Sequence, residues 1–353
     1  MGRHEAPGST AKLREPVAEV TLDRVAAAFE GLGFDPLVRT DRLIIGLPSF
    51  TAAVWIDPDR PLTLVVDLTE RIPIAFDHGH ALATFINMWN HDQIGPVASY
   101  RLADSGDFTV RLRRGTLIDH GLSDTQLIAE LFDSLEHATA FFSHVRERFL
   151  PVRFDVSLPP TLSRSLDHAS LVGRHPSHRH LPYGERRQLH GEPDTYAGPE
   201  PGDVPLRPSP LRLSGLECVL TALKFSYSRE GGVLTTGVNG VPFALTLDGG
   251  KYARVTAMWD AQLDANEKFL TTWLACNDIN EQSSSLSVYL HEYEGNLHVH
   301  AEATCLVTEG LTEGQRDGFI VSSLLSCLSA IDRISLEVTG SSVVEWPPAD
   351  SAE

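Results

Sequence analysis

Two stretches of similar sequence decide the fold of this chain. The first runs from Thr116 to Gln126 (TLIDHGLSDTQ), and the second runs from Cys305 to Gln315 (CLVTEGLTEGQ). Each reads as a strand end, a turn that contains glycine, and a Ser or Thr followed three residues later by Gln. That spacing is a capping box, in which the hydroxyl accepts the N3 amide hydrogen and the Gln side chain bonds back to the N-cap amide. The repetition predicts one fold used twice, with a long helix starting at each copy.

The flanking sequence predicts the same order of elements in both halves. In the first half a helix from about Thr21, three strands, a helix over 78–92 and a hairpin over 97–114 precede the capped helix. In the second half a capping box over 214–217 predicts the first helix, and three strands, a middle helix and the hairpin 286–302 follow. We therefore predict an α+β fold of two tandem α-β-β-β-α-β-β-α domains, each an antiparallel sheet with helices packed on it.

Composition suggests where the domains begin and end. The segment between the two halves is rich in proline, arginine and histidine, a composition typical of a linker. The predicted segments are a disordered N-terminal tail (1–16), a first domain (17–150), the linker (151–209), a second domain (210–338) and a C-terminal tail (339–353).

Charge and apolar patterning narrow the classes of partner. The chain has 353 residues with 29 basic and 47 acidic side chains, and its formal net charge is −18. A nucleic-acid groove or an anionic membrane surface requires concentrated positive charge, so we expect neither as the partner. Residues 1–16 lack the apolar core of a signal peptide, and the apolar run 319–331 is shorter than the roughly 20 residues that span a bilayer. We expect a cytoplasmic protein, in which the four cysteines are small buried residues: Cys218, Cys276, Cys305 and Cys327.

The element order, a Trp-containing middle helix and the Gly-Leu-Ser/Thr-Asp/Glu-x-Gln start of the last helix resemble the YbjN family. The resemblance covers both predicted domains but not the linker, and it is best in 85–92 (FINMWNHD) and 121–126 (GLSDTQ). Members of this family are bacterial domains, often described as sensory transduction regulators, with a fold like that of type III secretion chaperones. The resemblance implies a non-enzymatic, protein-binding or regulatory role, usually in a dimer, and no cofactor.

Polar residues of the first middle helix are the candidate partner-binding site that this resemblance suggests. They are Asn87, Asn90 and Asp92. When the Trp residues of the two middle helices are aligned, Thr271 and Leu274 fall at the two Asn positions. On that alignment the second domain has lost the site.

Catalytic chemistry has little support in the sequence. Ser123 and Thr312 could be imagined as nucleophiles, but capping explains both, and no general base accompanies them at a recognisable spacing. The sequence contains no phosphate-binding loop, no dinucleotide fingerprint and no zinc-hydrolase motif. We predict no catalytic residue, no cofactor site and no metal ligand.

Two groups of histidines keep a metal-dependent alternative open. His298 and His300 share one face of a strand, and His291 lies on the paired strand of the same hairpin. A polar sheet face explains them at least as simply, and linker composition explains a second group: His168, His175, His178, His180 and His190. The alternative function is a metal-dependent sensor or enzyme that uses the second-domain histidines.

The interpretation that we favour is a cytoplasmic protein-binding, adaptor or regulatory protein. Its two domains are expected to pair within the chain as a pseudo-dimer, because duplication places two copies of a dimerising fold in one molecule. Pairing of each domain with its mate in a second chain is the other arrangement. The partner is expected to be a protein of unspecified identity.

Overall fold

The computed structural model describes residues 15–59, 61–150 and 206–347. Nearly all of the predicted N-terminal tail, most of the linker with its histidines, and the last residues of the predicted C-terminal tail lie outside these ranges. Within them the chain forms two repeats of the same architecture.

The described part of the first repeat has three α-helices and a six-stranded antiparallel sheet. Its helices are α1 (Leu22–Gly31), α2 (Gly79–Asp92) and α3 (Asp124–Phe149). Its strands are β1 (Leu37–Val38), β2 (Leu43–Gly46), β3 (Phe50–Asp57), β4 (Thr63–Glu70), β5 (Val97–Leu102) and β6 (Phe108–Leu117). The strand order is β1-β2-β3-β4-β6-β5, so β5 lies at one edge.

The second repeat has the same elements in the same order. Its helices are α4 (Leu213–Ala222), α5 (Ala265–Gln282) and α6 (Glu313–Thr339). Its strands are β7 (Tyr227–Glu230), β8 (Val233–Val238), β9 (Val241–Asp248), β10 (Tyr252–Asp264), β11 (Leu286–Tyr293) and β12 (Asn296–Leu306). The strand order β7-β8-β9-β10-β12-β11 places β11 at the edge, as β5 is in the first sheet.

The predicted α+β fold of two tandem domains is confirmed, with one short strand added to each. The added strands β1 and β7 are two and four residues long, and every residue in them is exposed. They lack the alternation of apolar and polar residues from which a half-buried strand is recognised.

Hydrogen bonds from the middle helices define which of their residues are equivalent. The Asn90 side chain accepts the Ala98 amide hydrogen at 2.9 Å and donates to the Ala98 carbonyl at 2.8 Å. The Asn280 side chain makes the same two bonds to Val288, both at 2.7 Å. Asn90 and Asn280 are therefore equivalent, and each ties the middle helix to the edge strand of its own repeat.

This equivalence corrects the alignment that was based on the two Trp residues. Three positions earlier, Asn87 in α2 corresponds to Asn277 in α5, so both Asn positions are retained in the second repeat. Thr271 and Leu274 lie elsewhere on α5. The Trp alignment was wrong because an aromatic residue can occupy any of several positions on a wide apolar helix face.

The two capping boxes predicted at the repeated stretch are confirmed. Ser123 Oγ accepts the Gln126 amide hydrogen at 3.2 Å, and Gln126 Oε1 accepts the Ser123 amide hydrogen at 2.9 Å. Thr312 and Gln315 form the same pair at 3.2 and 2.9 Å. The side chains thus satisfy amides that have no partner within the helix.

The capping box predicted at Ser214 and Glu217 is wrong. Helix α4 begins at Leu213, and its N-cap residue makes no side-chain cap bond. Leu213 and Leu216, one turn apart, both pack against the core, so the helix starts one residue before Ser214. Glu217 instead forms an ion pair with Arg229 at 3.1 Å.

Helix α6 is the long helix predicted after the second capping box, and it extends beyond the apolar run 319–331 at both ends. Among the residues that the structure covers, it is the one helix long and apolar enough to cross a bilayer, whereas the apolar run 319–331 alone is too short. In the fold 56% of its most apolar window is buried, because the helix packs on β10 and β12. The length and composition of α6 are accounted for by this core position.

The described part of the segment predicted as a C-terminal tail packs on the second repeat, since Val344 is buried and the Glu345 amide donates to the Asn239 carbonyl at 2.8 Å. All four cysteines are free thiols. Cys276 and Cys327 are buried as predicted, but Cys305 is only half-buried and Cys218 is exposed, so the prediction is wrong for Cys218.

The structure predicts unequal effects for two serines near helix starts. Ser123→Ala removes a cap and should lower the free energy of unfolding by about 1 kcal/mol. Ser214→Ala is the matched control, because this exposed serine caps no helix and its removal should cost less than about 0.5 kcal/mol. Urea denaturation measures both values. Equal losses in the two variants would contradict the assignment of the caps.

Candidate functional site at the seam between the repeats

The edge strand of each sheet is covered by the middle helix of the other repeat. Asn277 of α5 accepts the Tyr100 amide hydrogen at 3.1 Å and donates to the Tyr100 carbonyl at 2.8 Å. Asn87 of α2 accepts the Leu290 amide hydrogen at 2.7 Å and donates to the Leu290 carbonyl at 3.0 Å. A side-chain amide has the same donor and acceptor as a peptide group. Each Asn therefore replaces a neighbouring strand at one residue of an open edge.

The capping glutamines make a second pair of reciprocal contacts. Gln126 Nε2 donates to the Gly310 carbonyl at 2.8 Å, and Gln315 Nε2 donates to the Gly121 carbonyl at 2.7 Å. The two side-chain amides also lie 3.1 and 3.2 Å from each other. The two repeated stretches therefore contact each other directly, and each Gln caps its own helix while it bonds the other repeat.

Glycine is required at the turn before the first cap. Gly121 has a φ of +67°, in the left-handed region that disfavours other residues. A Cβ at this position would lie 2.5 Å from the Ala18 carbonyl oxygen. The close approach of the chain at Ala18, which also pairs with Leu122, depends on the missing side chain.

A buried cluster of charges lies on one side of the paired glutamines. Asp133 of α3 accepts the Tyr252 hydroxyl hydrogen at 2.7 Å and lies 2.8 Å from the Lys251 ammonium. Arg114 of β6 donates to Glu130 at 2.6 Å and lies 3.4 Å from Asp133. The first repeat supplies both carboxylates, while the second repeat supplies the lysine and the tyrosine.

Burial and neighbouring charges act in opposite directions on the two carboxyl groups. Burial alone would raise the pKa of Asp133, but the groups around it outweigh burial and hold that pKa below its usual range: His137, Arg114 and Lys251. Burial dominates at Glu130 and raises its pKa, although Arg114 opposes the shift. Asp133 is therefore held in its charged form first by His137 and Arg114 of its own repeat, and Lys251 of the second repeat adds to that effect.

We call the interface between the two repeats the seam; at its centre are the contacts of Asn87, Asn277, Gln126 and Gln315. The two far ends of the seam have different chemistry. At one end Glu281 of α5 forms an ion pair with Arg111 at 2.7 Å, and its carbonyl accepts a bond from Arg113 at 2.8 Å. At the equivalent end His91 of α2 contacts His291 of β11, with 3.0 Å between the ring nitrogens. The pairing is symmetric at its centre and differs at its ends.

The residues predicted as a partner site have three different surroundings. Asn87 bonds the second repeat, whereas Asn90 bonds the edge strand of its own repeat. Asp92 is exposed and lies 2.6 Å from the neighbouring His91 ring. Binding of another protein by these residues remains a prediction.

Sequence reasoning missed the equivalent Asn277 and the cross-repeat bonds of the capping glutamines. One signal for the first was present: Asn-x-x-Asn occurs at 87–90 and again at 277–280. The second could not be seen in sequence, because a capping box uses the Gln oxygen and says nothing about its amide hydrogens.

The hairpin histidines contact neighbouring side chains, and the rings of His291 and His300 also pack on each other with centroids 5.9 Å apart. His291 contacts His91, His298 lies 3.8 Å from Asp260, and the His300 ring packs on Tyr289 with centroids 5.1 Å apart. In the described ranges no group of three or more His, Cys, Asp or Glu side chains is arranged to hold a metal ion. The linker histidines lie outside those ranges.

Comparisons with known proteins give a likeness in structure. No family model and no curated protein matches the chain. Among solved structures, it is similar to the crystal structure of YbjN, a proposed transcription regulator from E. coli. The likeness covers 38% of this chain and 98% of that one, at 18% sequence identity and a TM-score of 0.33. The function proposed below therefore rests on the geometry of this protein itself.

Removing one seam asparagine should expose one strand edge selectively. Asn277→Ala deletes both bonds to Tyr100, so the Tyr100 amide should lose about 1–3 kcal/mol of protection against hydrogen exchange. The matched control is Asn280→Ala, which should affect the Val288 amide and leave the Tyr100 amide protected. Residue-resolved hydrogen exchange measures both amides. Unchanged hydrogen exchange of the Tyr100 amide in Asn277→Ala would contradict the claim that Asn277 covers this strand edge.

The charged cluster predicts a pH-dependent loss of stability. Asp133→Asn leaves Lys251 and Arg114 without their shared partner and should cost about 3–5 kcal/mol at pH 7. Because the pKa of Asp133 is lowered on folding, its contribution is present above the ordinary Asp value of about 3.9 and is lost as pH falls through the folded value. The difference between variant and wild type should thus shrink in acid.

Denaturant unfolding from neutral to acidic pH provides this comparison. The control is Asp124→Asn, whose side chain is 72% exposed in its ion pair with Arg24 and should contribute no more than about 1 kcal/mol. If the difference in free energy of unfolding between the wild type and Asp133→Asn stayed constant in acid, the role assigned to Asp133 in the cluster would be contradicted.

Proposed function

We propose that this chain is a non-enzymatic adaptor or regulatory protein whose two domains pair within one molecule as a pseudo-dimer and bind a protein partner. The observation that carries the proposal is the reciprocal pairing at the seam. Asn87 and Asn277 cover the two edge strands, and Gln126 and Gln315 join the two helix starts. A seam that already occupies both edges leaves the outer surfaces for a partner.

The contacts of Ser123 and Thr312, the two candidate nucleophiles, support a role without catalysis. Ser123 Oγ accepts the Gln126 amide hydrogen and lies 2.9 Å from the Thr125 hydroxyl, and the residue is buried. Thr312 is engaged in the same way by Gln315. Both hydroxyls act as helix caps, which is a structural task.

An apolar patch on α5 is the surface that we assign to the partner. Leu270 and Leu274 lie one turn apart, and they are 42% and 47% exposed. At the equivalent positions of α2 the first repeat has the polar residues His80 and Thr84. Exposed leucines on one copy of a repeated helix favour contact with another protein. The net charge of −18 supports a protein partner over nucleic acid or an anionic membrane.

The pseudo-dimer is tested by the mass and shape of the full chain in solution. Light scattering should give a monomer of 38.7 kDa, and small-angle scattering should show one compact particle. The double variant Asn87→Ala and Asn277→Ala should widen the distribution of distances within the particle. Two separate lobes in the wild type, or a mass twice as large, would sink the proposal.

Crosslinking in the native cytoplasm tests the partner surface. The double variant Leu270→Glu and Leu274→Glu should abolish crosslinks to a partner, because two charges replace the apolar patch. Leu336→Glu is the matched control, since this leucine is also 47% exposed but lies on α6. Crosslinks that persist in the double variant, or that vanish equally in the control, would reject this surface.

A further inference from the structure

A cavity of about 160 Å³ lies at the seam, beside the paired glutamines. Its walls come from both repeats, with Gln126 and Leu122 contributed by the first and Gln315 and Leu311 by the second. The cavity is therefore complete only when the two repeats are paired. Its volume is comparable to that of a cavity of about 150 Å³ that binds benzene in another protein.

The cavity exists because small residues replace large ones on one side of the seam. Strand register makes Thr63 equivalent to Tyr252, since Thr63 pairs with Leu117 as Tyr252 pairs with Leu306. Thr63 lines the cavity, whereas Tyr252 fills the equivalent space and bonds Asp133.

The last helices of the two repeats also differ in this way, because α6 has small residues where α3 has large ones. Counting from the two capping boxes, Asp133 and His137 of α3 correspond to Ser322 and Ser326 of α6, and both serines line the cavity. One side of the seam is thus packed by three large side chains: Asp133, His137 and Tyr252. The other side is left open by three small hydroxyl residues at the equivalent positions: Ser322, Ser326 and Thr63.

The walls combine apolar surface with polar groups. Leu117, Leu306 and Phe319 contribute apolar surface. The charged residues in the lining are Arg114, Glu130 and Glu309. Arg114 is buried and bonds Glu130, and its Nη1 lies 3.4 Å from Asp133 Oδ2 in an ion pair but makes no hydrogen bond to any of the described residues.

We propose that this cavity binds a small uncharged molecule that has an apolar ring and a carbonyl or amide oxygen. The ring occupies the apolar part, and the oxygen accepts a hydrogen bond from Arg114 Nη1. A charged group would be buried without a free counter-ion from the central pair, because Arg114 and Glu130 already pair with each other at 2.6 Å. The site does not depend on the identity of a protein partner, so it can be tested even if the proposed adaptor role is wrong.

Three probes of nearly equal shape separate the charge classes. They are benzamide, benzoate and benzylamine, each titrated into the full chain and followed by ligand-observed NMR and thermal unfolding. Benzamide should bind with a Kd of about 1 mM or tighter, and the two ions should bind at least about 10-fold more weakly. Failure of benzamide to bind at this level, or equal binding of either ion, would overturn the proposal.

Variants that fill the cavity locate the binding. Ser326→Leu should weaken benzamide binding by at least about 10-fold, because it places a larger side chain in the cavity. Ser329→Leu is the matched control on the exposed side of the same helix and should leave the affinity unchanged. Ser322→Leu is a second filling variant, for use if the first does not fold. Unchanged affinity in a folded filling variant would overturn the assignment.

Discussion

The contact between the two capping stretches is the interaction on which the rest of the structure depends. Gln126 and Gln315 each use their oxygen to start a helix of their own repeat and their amide hydrogens to bond the other repeat. A buried side-chain amide that lost these partners would incur a cost of about 1–3 kcal/mol. Helix initiation and pairing are therefore linked in the same two residues, and the repeated motif is a signal for both.

The seam also shows how a duplicated fold can acquire asymmetric features. Its central contacts are reciprocal, but Asp133 and Tyr252 fill one side while Ser322 and Thr63 leave the other side open. A homodimer must change both sides of its interface at once, because its two copies have one sequence. Two repeats in one chain can vary separately, and here that freedom has produced a charged cluster and a cavity.

Local sequence signals made much of the fold predictable, but the contacts between the repeats could not be predicted from the sequence. Capping at Ser123 and Thr312 and the alternation in β6 are encoded within a few residues, so the sequence was sufficient to predict them. The capping box predicted at Ser214 was wrong because α4 begins at Leu213, where Leu213 and Leu216 pack against the core. The seam bonds of Asn87 and the cavity depend on which positions face each other across two sheets, and that register is known only from the folded structure.

Hydrogen exchange in the second repeat after a single change in the first tests the central claim most directly. Gln126→Glu keeps an oxygen for the Ser123 cap but removes the hydrogens that bond Gly310 and Gln315. If the seam joins the repeats into one unit, amides at the start of α6 should lose protection together with those of α3. Full protection of α6 in this variant, with loss confined to α3, would contradict the account.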